Sequence, residues 1–294
     1  MLNLRNQPHL QALILLLIAM ISVQSSGSLA KVLFSHFPVL TVACMRLLLS
    51  SVILALIFKI LQINFKQVRW KAIVSYGFAL AGMNALFYLS IHRLPLGVAV
   101  SFEFIGPLSV ALFYARQKFD FVWVGLAILG LILLFPFEQA SQRLDWIGVA
   151  FALGAGACWA LYIVAGQKPS GISGNHTVCL GMFIGMLCLM PIALLSGMSM
   201  NVFDVSNIGY FIALAILASA LPFSLEMIAL RNLTALSFGT LMSVEPAIAA
   251  LSGFIFLGEE LLWNQWLALA TIITASVGCT YTTQQAKKKA ASSP

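Results

Sequence analysis

Read along its length, the chain alternates long apolar runs with short polar joints. Runs of about 20 apolar residues fall at 10–32, 39–60, 70–91, 95–115, 119–137, 146–166, 177–196, 208–230, 235–257 and 262–282. A bilayer core needs about 20 such residues per helix, so the pattern predicts an all-α polytopic membrane protein with ten transmembrane helices. The joints are mostly under a dozen residues, too short for a separate domain.

Two runs resemble each other internally. Residues 95–111 read PLGVAVSFEFIGPLSVA and residues 235–250 read ALSFGTLMSVEPAIAA; each carries an acid (Glu103, Glu245) and a proline (Pro107, Pro246). The prolines are 139 positions apart, close to half of 294 residues. The expected organisation is therefore two five-helix repeats, 1–140 and 141–294. Five is odd, so the second repeat enters the bilayer from the other side, which makes the repeats inverted.

Composition sharpens this picture. Hydrophobic residues are 61% and charged residues 9%, against about 25% charged in soluble domains, and the mean hydropathy is +0.99. Arg5 before the first apolar run imitates a secretory signal, but the run continues past Ser25–Ser28 to Phe34, so it is read as the first membrane helix. With the N-terminus placed in the cytoplasm, the cytoplasmic joints and termini hold twelve of the sixteen Lys and Arg residues. The other side holds Lys31, Arg93 and Arg143, and Arg46 lies inside a helix. Such a bias predicts both termini cytoplasmic. Anionic lipid accounts for the net charge of +7 without a nucleic-acid partner. The five cysteines are scattered without metal or disulfide spacing, and no metal or cofactor is expected.

Polar residues inside the membrane carry the functional reading. Gln24, Asn84, Trp159, Ser219 and Glu245 fall near mid-membrane, and Glu103 and Arg46 share a depth of roughly 12 Å from one face at 1.5 Å per residue. A charge at the helix centre costs about 2.5–3.5 kcal/mol on insertion scales, so these groups are expected to point inward together. Arg46 and Glu103 are candidates for a structural ion pair. Glu245, without a base at its depth, is the stronger candidate for binding or coupling. Pro107, Pro246 and Pro222 each remove a helical donor, which frees the carbonyls of Glu103, Met242 and Ala218. Free carbonyls and carboxylates suit an ammonium group; Arg46 or a side-chain amide suits a carboxylate. Together they describe a zwitterion. Each proline alone is also consistent with a simple kink, and Trp159 with core packing. The run of small residues at 154–158 is read as close helix packing.

The second half, with GACWALYIV at 156–164, SVEPAIAALSG at 243–253 and FLGEELLWNQWLALATIITASVG at 256–278, resembles the EamA-type modules of the drug/metabolite transporter superfamily. The first half adds VACMRLLLS at 42–50. More narrowly, PLGVAVSFEFIGPLSVALF (95–113), LPFSLEMIAL (221–230) and SFGTLMSVEPA (237–247) resemble the bacterial inner-membrane threonine/homoserine exporters. The resemblance implies proton-coupled efflux of small amino acids by alternating access. It also implies a central cavity lined by helices 1, 3, 4, 6, 8 and 9, with helices 5 and 10 at the periphery. Export of another metabolite class, such as aromatic amino acids or purines, is the neighbouring alternative. A membrane-embedded enzyme would need a nucleophile or a metal cluster, and His9, His36, His92 and His176 lie in separate joints.

Overall fold

The computed structural model describes residues 8–94, 96–135, 145–248, 251 and 262–292, and within them every regular element is helical. The expected repeat boundary at 140/141, and the end of the ninth expected helix, lie outside the described residues. The helices are α1 Pro8–Phe34, α2 Val39–Ile57, α3 Trp70–Ile91, α4 in two segments (Leu96–Glu103 and Ile105–Tyr114), α5 Lys118–Leu134, α6 Trp146–Gln167, α7 Gly174–Leu195, α8 Val205–Asn232, α9 Ala235–Ile248 and α10 Trp263–Ser292. Six of the described helices are long and apolar enough to cross a membrane: α2, α3, α6, α7, α8 and α10. Hydrocarbon leaves backbone donors and acceptors no partner outside their own segment, and the helix supplies all of them internally.

Local chemistry sets the ends. Asp145 caps α6 by accepting from the amides of Ile147 and Gly148, Ser173 caps α7 through His176, and Thr234 caps α9 through Ser237. A capping box of Gln117 and Asp120 starts α5. In the joint after α6, Gly171 has φ +79° and its α-carbon faces the Gln67 carbonyl, so a side chain there would meet both strain and backbone.

Four helices differ from the uniform rods expected, α9 by a break at Ser243 and three others as follows. The second segment of α4 begins after a break at Phe104. α8 runs helically to Ala215, passes through a π-turn at Ile216–Ala220, and resumes at Leu221. α10 continues ten residues beyond the expected end, through Lys287–Lys289, because no glycine or proline follows Gly278 before Ser292. Its 30 residues span about 45 Å, more than the bilayer core, so its last turns stand beyond the hydrocarbon.

Packing follows the small residues. α3 lies along α6 and α7: Gly82 is filled by Cys158, and Gly77 abuts the Gly181 carbonyl. α1 packs on α8, α2 on α7, α4 on α6 and α9, and α5 on α10. In the last pair the Trp123 indole covers Gly278 and donates to Thr282 Oγ1 at 3.1 Å. Large apolar side chains such as Leu56, Phe78 and Phe113 face outward, as lipid contact requires.

The two ends of the bundle differ. One, the basic end, gathers Lys59–Lys71, Arg116, Lys118, Lys168 and Arg231. There the Arg69 amide donates to the Ser170 carbonyl (2.9 Å), and Gln167 Nε2 to the Leu233 carbonyl (3.3 Å). His176 Nε2 lies 2.8 Å from the Phe58 carbonyl. At the opposite end Arg93 pairs with Asp145 at 2.8 Å, and Phe34 and Phe37 pack edge-on against Tyr88 and Phe211. The Asp145 carboxyl is held below its usual range, chiefly by its hydrogen bond from Arg93.

Candidate functional site

The breaks in α4 and α9 are built alike. Phe104 and Ser243 each lie three residues before a proline, and both have φ −63° and ψ −13°. Proline cannot donate to the carbonyl four residues back, so the helix loosens one turn ahead of it. The freed Glu103 carbonyl lies against Gly156 of α6, and the Pro107 carbonyl against Gly239 of α9. The Glu103 carbonyl therefore does not open into a cavity, contrary to the sequence expectation: glycine lets α6 come close enough to cover it. Pro107 and Pro246 are buried. Beside the first break the Phe104 ring meets Trp159 edge-on at 4.9 Å, so Trp159 packs on the α4 break and is buried there.

Glu103 is buried, Glu245 half-buried, and the two are close enough to act on each other electrostatically. A third acid joins them. Glu226 of α8 is buried, lies within electrostatic range of Glu245, and accepts a 3.1 Å hydrogen bond from Tyr162 of α6. The sequence reading passed over Glu226, because it has no counterpart in the first half, where Phe87 stands 139 positions earlier. The signal available was an acid inside an otherwise apolar span, in the string LPFSLEMIAL.

Arg46 does not pair with Glu103. Among the described residues the ion pair within 4.0 Å is Arg93–Asp145. Arg46 instead donates through Nη1 to the Tyr88 hydroxyl at 2.6 Å, and its guanidinium lies 5.0 Å from that ring's centre. The reason is neighbourhood. α2 packs on α7, α8 and α3, whereas α4 packs on α6 and α9, so Tyr88 of α3 reaches Arg46 first, and the ring face adds a cation–π contact. Arg46 Nε is buried without a hydrogen-bond partner.

The remaining candidates take varied positions. Asn84 is buried and spends an amide hydrogen on the Leu80 carbonyl of its own helix (2.7 Å). Gln24 is half-buried on α1. Ser219 lies in the π-turn, fully buried, and its hydroxyl has no partner. Pro222 follows that turn. Side chains bond carbonyls in and beside the π-turn: Ser22 of α1 bonds Leu217 (2.7 Å), Ser50 of α2 bonds the preceding Ala215 (2.9 Å), and Ser224, one turn on, bonds Ala220 (2.6 Å). Serines from two other helices thus stabilise a break that the sequence attributed to Pro222 alone.

A cavity of about 550 Å³ opens at the end opposite the basic one, lined by Phe34, Phe37, Pro38, Val39, Tyr88, Ile91 and His92. Its volume is in the range of small-molecule sites, and its floor includes Tyr88, the residue that holds Arg46. At the basic end, Arg231 donates to Ser170 Oγ (2.9 Å), Thr177 Oγ1 (3.0 Å) and the Ile172 carbonyl (3.2 Å), which ties α8 to α7 and the preceding joint. Among the described residues no cluster of His, Cys, Asp or Glu could hold a metal ion.

Apolar helices long enough to span, with acids gathered between them, define a polytopic α-helical membrane protein. The EamA-like transporter family profile matches residues 146–281. The threonine/homoserine exporter RhtA of Escherichia coli K12 is 48% identical over 287 residues, covering 97% of both chains, and that of Salmonella typhimurium LT2 is 48% identical over 279 residues, covering 95% of this chain and 94% of its own. This chain belongs to the EamA-like transporter family. A protein known by crystal structure shares the fold at a TM-score of 0.72 and 16% identity, covering 95% of this chain and 99% of its own.

Proposed function

We propose that this protein is a secondary active exporter of threonine, homoserine and similar small amino acids, working by proton exchange and alternating access in the bacterial inner membrane. The observation that carries the reading is end-to-end likeness, 48% identity over 97% of the chain, to proteins named for that export. The site's chemistry agrees with it. Glu103 and Glu245 can receive an ammonium group, Glu245 being the less buried of the two, while Gln24, Asn84 and Ser219 carry further polar groups on α1, α3 and α8. Trp159 supplies an apolar wall beside the α4 break.

The architecture we infer is ten membrane spans in two inverted five-helix repeats, 1–140 and 141–294, with both termini in the cytoplasm. Two features support it beyond the lysine and arginine bias. The helix pairs α1–α8, α2–α7, α3–α6, α4–α9 and α5–α10 map onto themselves when the halves are exchanged, as a two-fold axis demands. The matched dihedral angles at Phe104 and Ser243 repeat within that scheme. In this topology the basic end is cytoplasmic and closed by Arg231, and the 550 Å³ cavity faces outward.

The test is flux in vesicles containing only the purified protein, with labelled threonine, homoserine, tryptophan and a purine offered in parallel. Saturable transport of threonine and homoserine above the other two is expected. Preference for the aromatic amino acid or the purine would overturn the substrate assignment while leaving the transporter class intact.

A further inference from the structure

Of the three neighbouring acids, Glu226 is set apart by its surroundings. Glu245 is half-buried, less enclosed than Glu103 or Glu226. Glu226 is buried and held at the edge of an aromatic cluster: Tyr162 donates to its Oε2 at 3.1 Å, Tyr76 packs on Tyr162 at 5.0 Å between centres, and Phe223 meets Tyr162 at 5.8 Å. Tyr76 and Tyr162 have no exposed surface, and their environment is tightened by glycines, Gly181 under Tyr76 and Gly166 against Leu230. An amino acid has no room there; a proton needs none.

Position adds the second part. Glu226 lies six residues before the end of α8, about 9 Å from the basic end at 1.5 Å per residue. Glu245 lies ten residues into α9, about 15 Å from that end. One turn beyond Glu226, Arg231 makes the contacts to Ser170, Thr177 and Ile172 that close the basic end. A carboxyl, the acid next to it and the fastening of the closed end therefore sit in sequence along one short stretch.

We propose that Glu226, held by Tyr162, is a dedicated proton-carrying carboxyl of the transport cycle, distinct from the carboxylates that meet the substrate. This rests on the exchange reading above. An ammonium arriving at Glu245 from the basic end offsets the Glu245 charge that keeps Glu226 protonated, and Glu226 then gives its proton to water at that end. When the ammonium leaves through the opposite end, that charge is unopposed again and Glu226 takes up a proton, relayed past Glu245. Each transported amino acid is thereby matched to one proton moving the other way.

The groups facing Glu226 are few. α6 brings Tyr162, with Tyr76 of α3 behind it, and α9 brings Glu245. The described side chains of α1 carry no charge. On α7, His176 is engaged by Ser173 and the Phe58 carbonyl, and the Cys179 thiol is directed to the Ser51 carbonyl. Arg231, on the same helix, is turned to its own three acceptors.

The experiment uses the full chain reconstituted in vesicles, comparing exchange of labelled for unlabelled threonine at equal pH with accumulation driven by an imposed pH gradient. Glu226→Gln is expected to lose at least tenfold of the gradient-driven accumulation while retaining exchange within about threefold. Tyr162→Phe, which keeps the ring and removes only the hydroxyl, is expected to fold as the parent and to shift the pH profile of gradient-driven transport. If the parent responds to the gradient and Glu226→Gln responds equally, with the Tyr162→Phe profile unmoved, the assignment of Glu226 fails and the exchange reading stands. If Glu226→Gln does not fold, the Tyr162→Phe profile alone decides. If the parent itself ignores the gradient, proton exchange fails, and this inference with it.

Discussion

Gly106→Ala is a direct test of how the α4 break is held. A methyl carbon on Gly106 would lie 2.5 Å from the carbonyl carbon of Gly156 and 2.8 Å from its α-carbon, with the carbonyl oxygen nearer still. Ordinary contact begins at 3.4 Å, so α4 and α6 must separate by about 1 Å, and neither partner is a side chain that can rotate away. Overpacking of this kind costs about 1–3 kcal/mol, and backbone obstruction places it at the upper end. Separation also weakens the edge contact of Phe104 with Trp159, worth about 0.5–1.5 kcal/mol. Alanine returns up to about 1 kcal/mol of helix propensity, leaving a net loss of about 2–3 kcal/mol. Gly125→Ala on α5 is the control, since nothing lies within 4 Å of the added carbon, and it keeps the propensity gain. Thermal unfolding of both purified variants in detergent should place Gly106→Ala several degrees below the parent, and Gly125→Ala at or above it. Equal midpoints for the two variants would show that the α4–α6 contact is not the support described.

Three further outcomes follow from the same geometry. Tyr88→Phe removes the one hydroxyl that Arg46 Nη1 reaches, a charged hydrogen bond worth about 1.5–3 kcal/mol, and should lower the melting midpoint; Arg46→Ala should reduce membrane yield more than it alters substrate preference, read by immunoblot and flux. Arg231→Ala should loosen the basic end, so that a cysteine placed at Ser170 reacts faster with a water-soluble maleimide than in the Arg231 parent. For the Arg93–Asp145 pair the sign is set by the lowered Asp145 carboxyl: its contribution is complete above the ordinary aspartate value of 3.8 and is lost as pH falls below it, so Asp145→Asn and parent should show the same pH dependence of stability between pH 8 and pH 5.

Much of the helical framework could be read from the chain because length and hydropathy report directly on a bilayer. The prolines at 107 and 246 marked the two broken helices, and the break falls three residues earlier because the lost donor belongs to the preceding turn. The π-turn of α8 was not legible: it depends on Ser22 and Ser50 from other helices, which no local window contains. Partnership failed for the same reason. Arg46 and Glu103 share a depth, but depth does not say which helices are adjacent, and Tyr88 is the nearer neighbour. Glu226 was overlooked because the repeat comparison rewards matched positions. The acids are not themselves matched, since Glu245 stands opposite Gly106 in the repeat, the position where α4 needs no side chain.

The central claim is that a proton and a substrate ammonium exchange through the acids at the bundle's centre, with Glu245 receiving the ammonium. It is tested most directly by threonine export from vesicles loaded with the amino acid, with and without an imposed pH gradient, for the parent and Glu245→Gln. The account predicts gradient-stimulated export by the parent and its loss in Glu245→Gln, with the variant present in the membrane at parental amounts. Export by Glu245→Gln at an unchanged rate and with unchanged pH dependence would contradict it and leave Glu245 a half-buried packing acid.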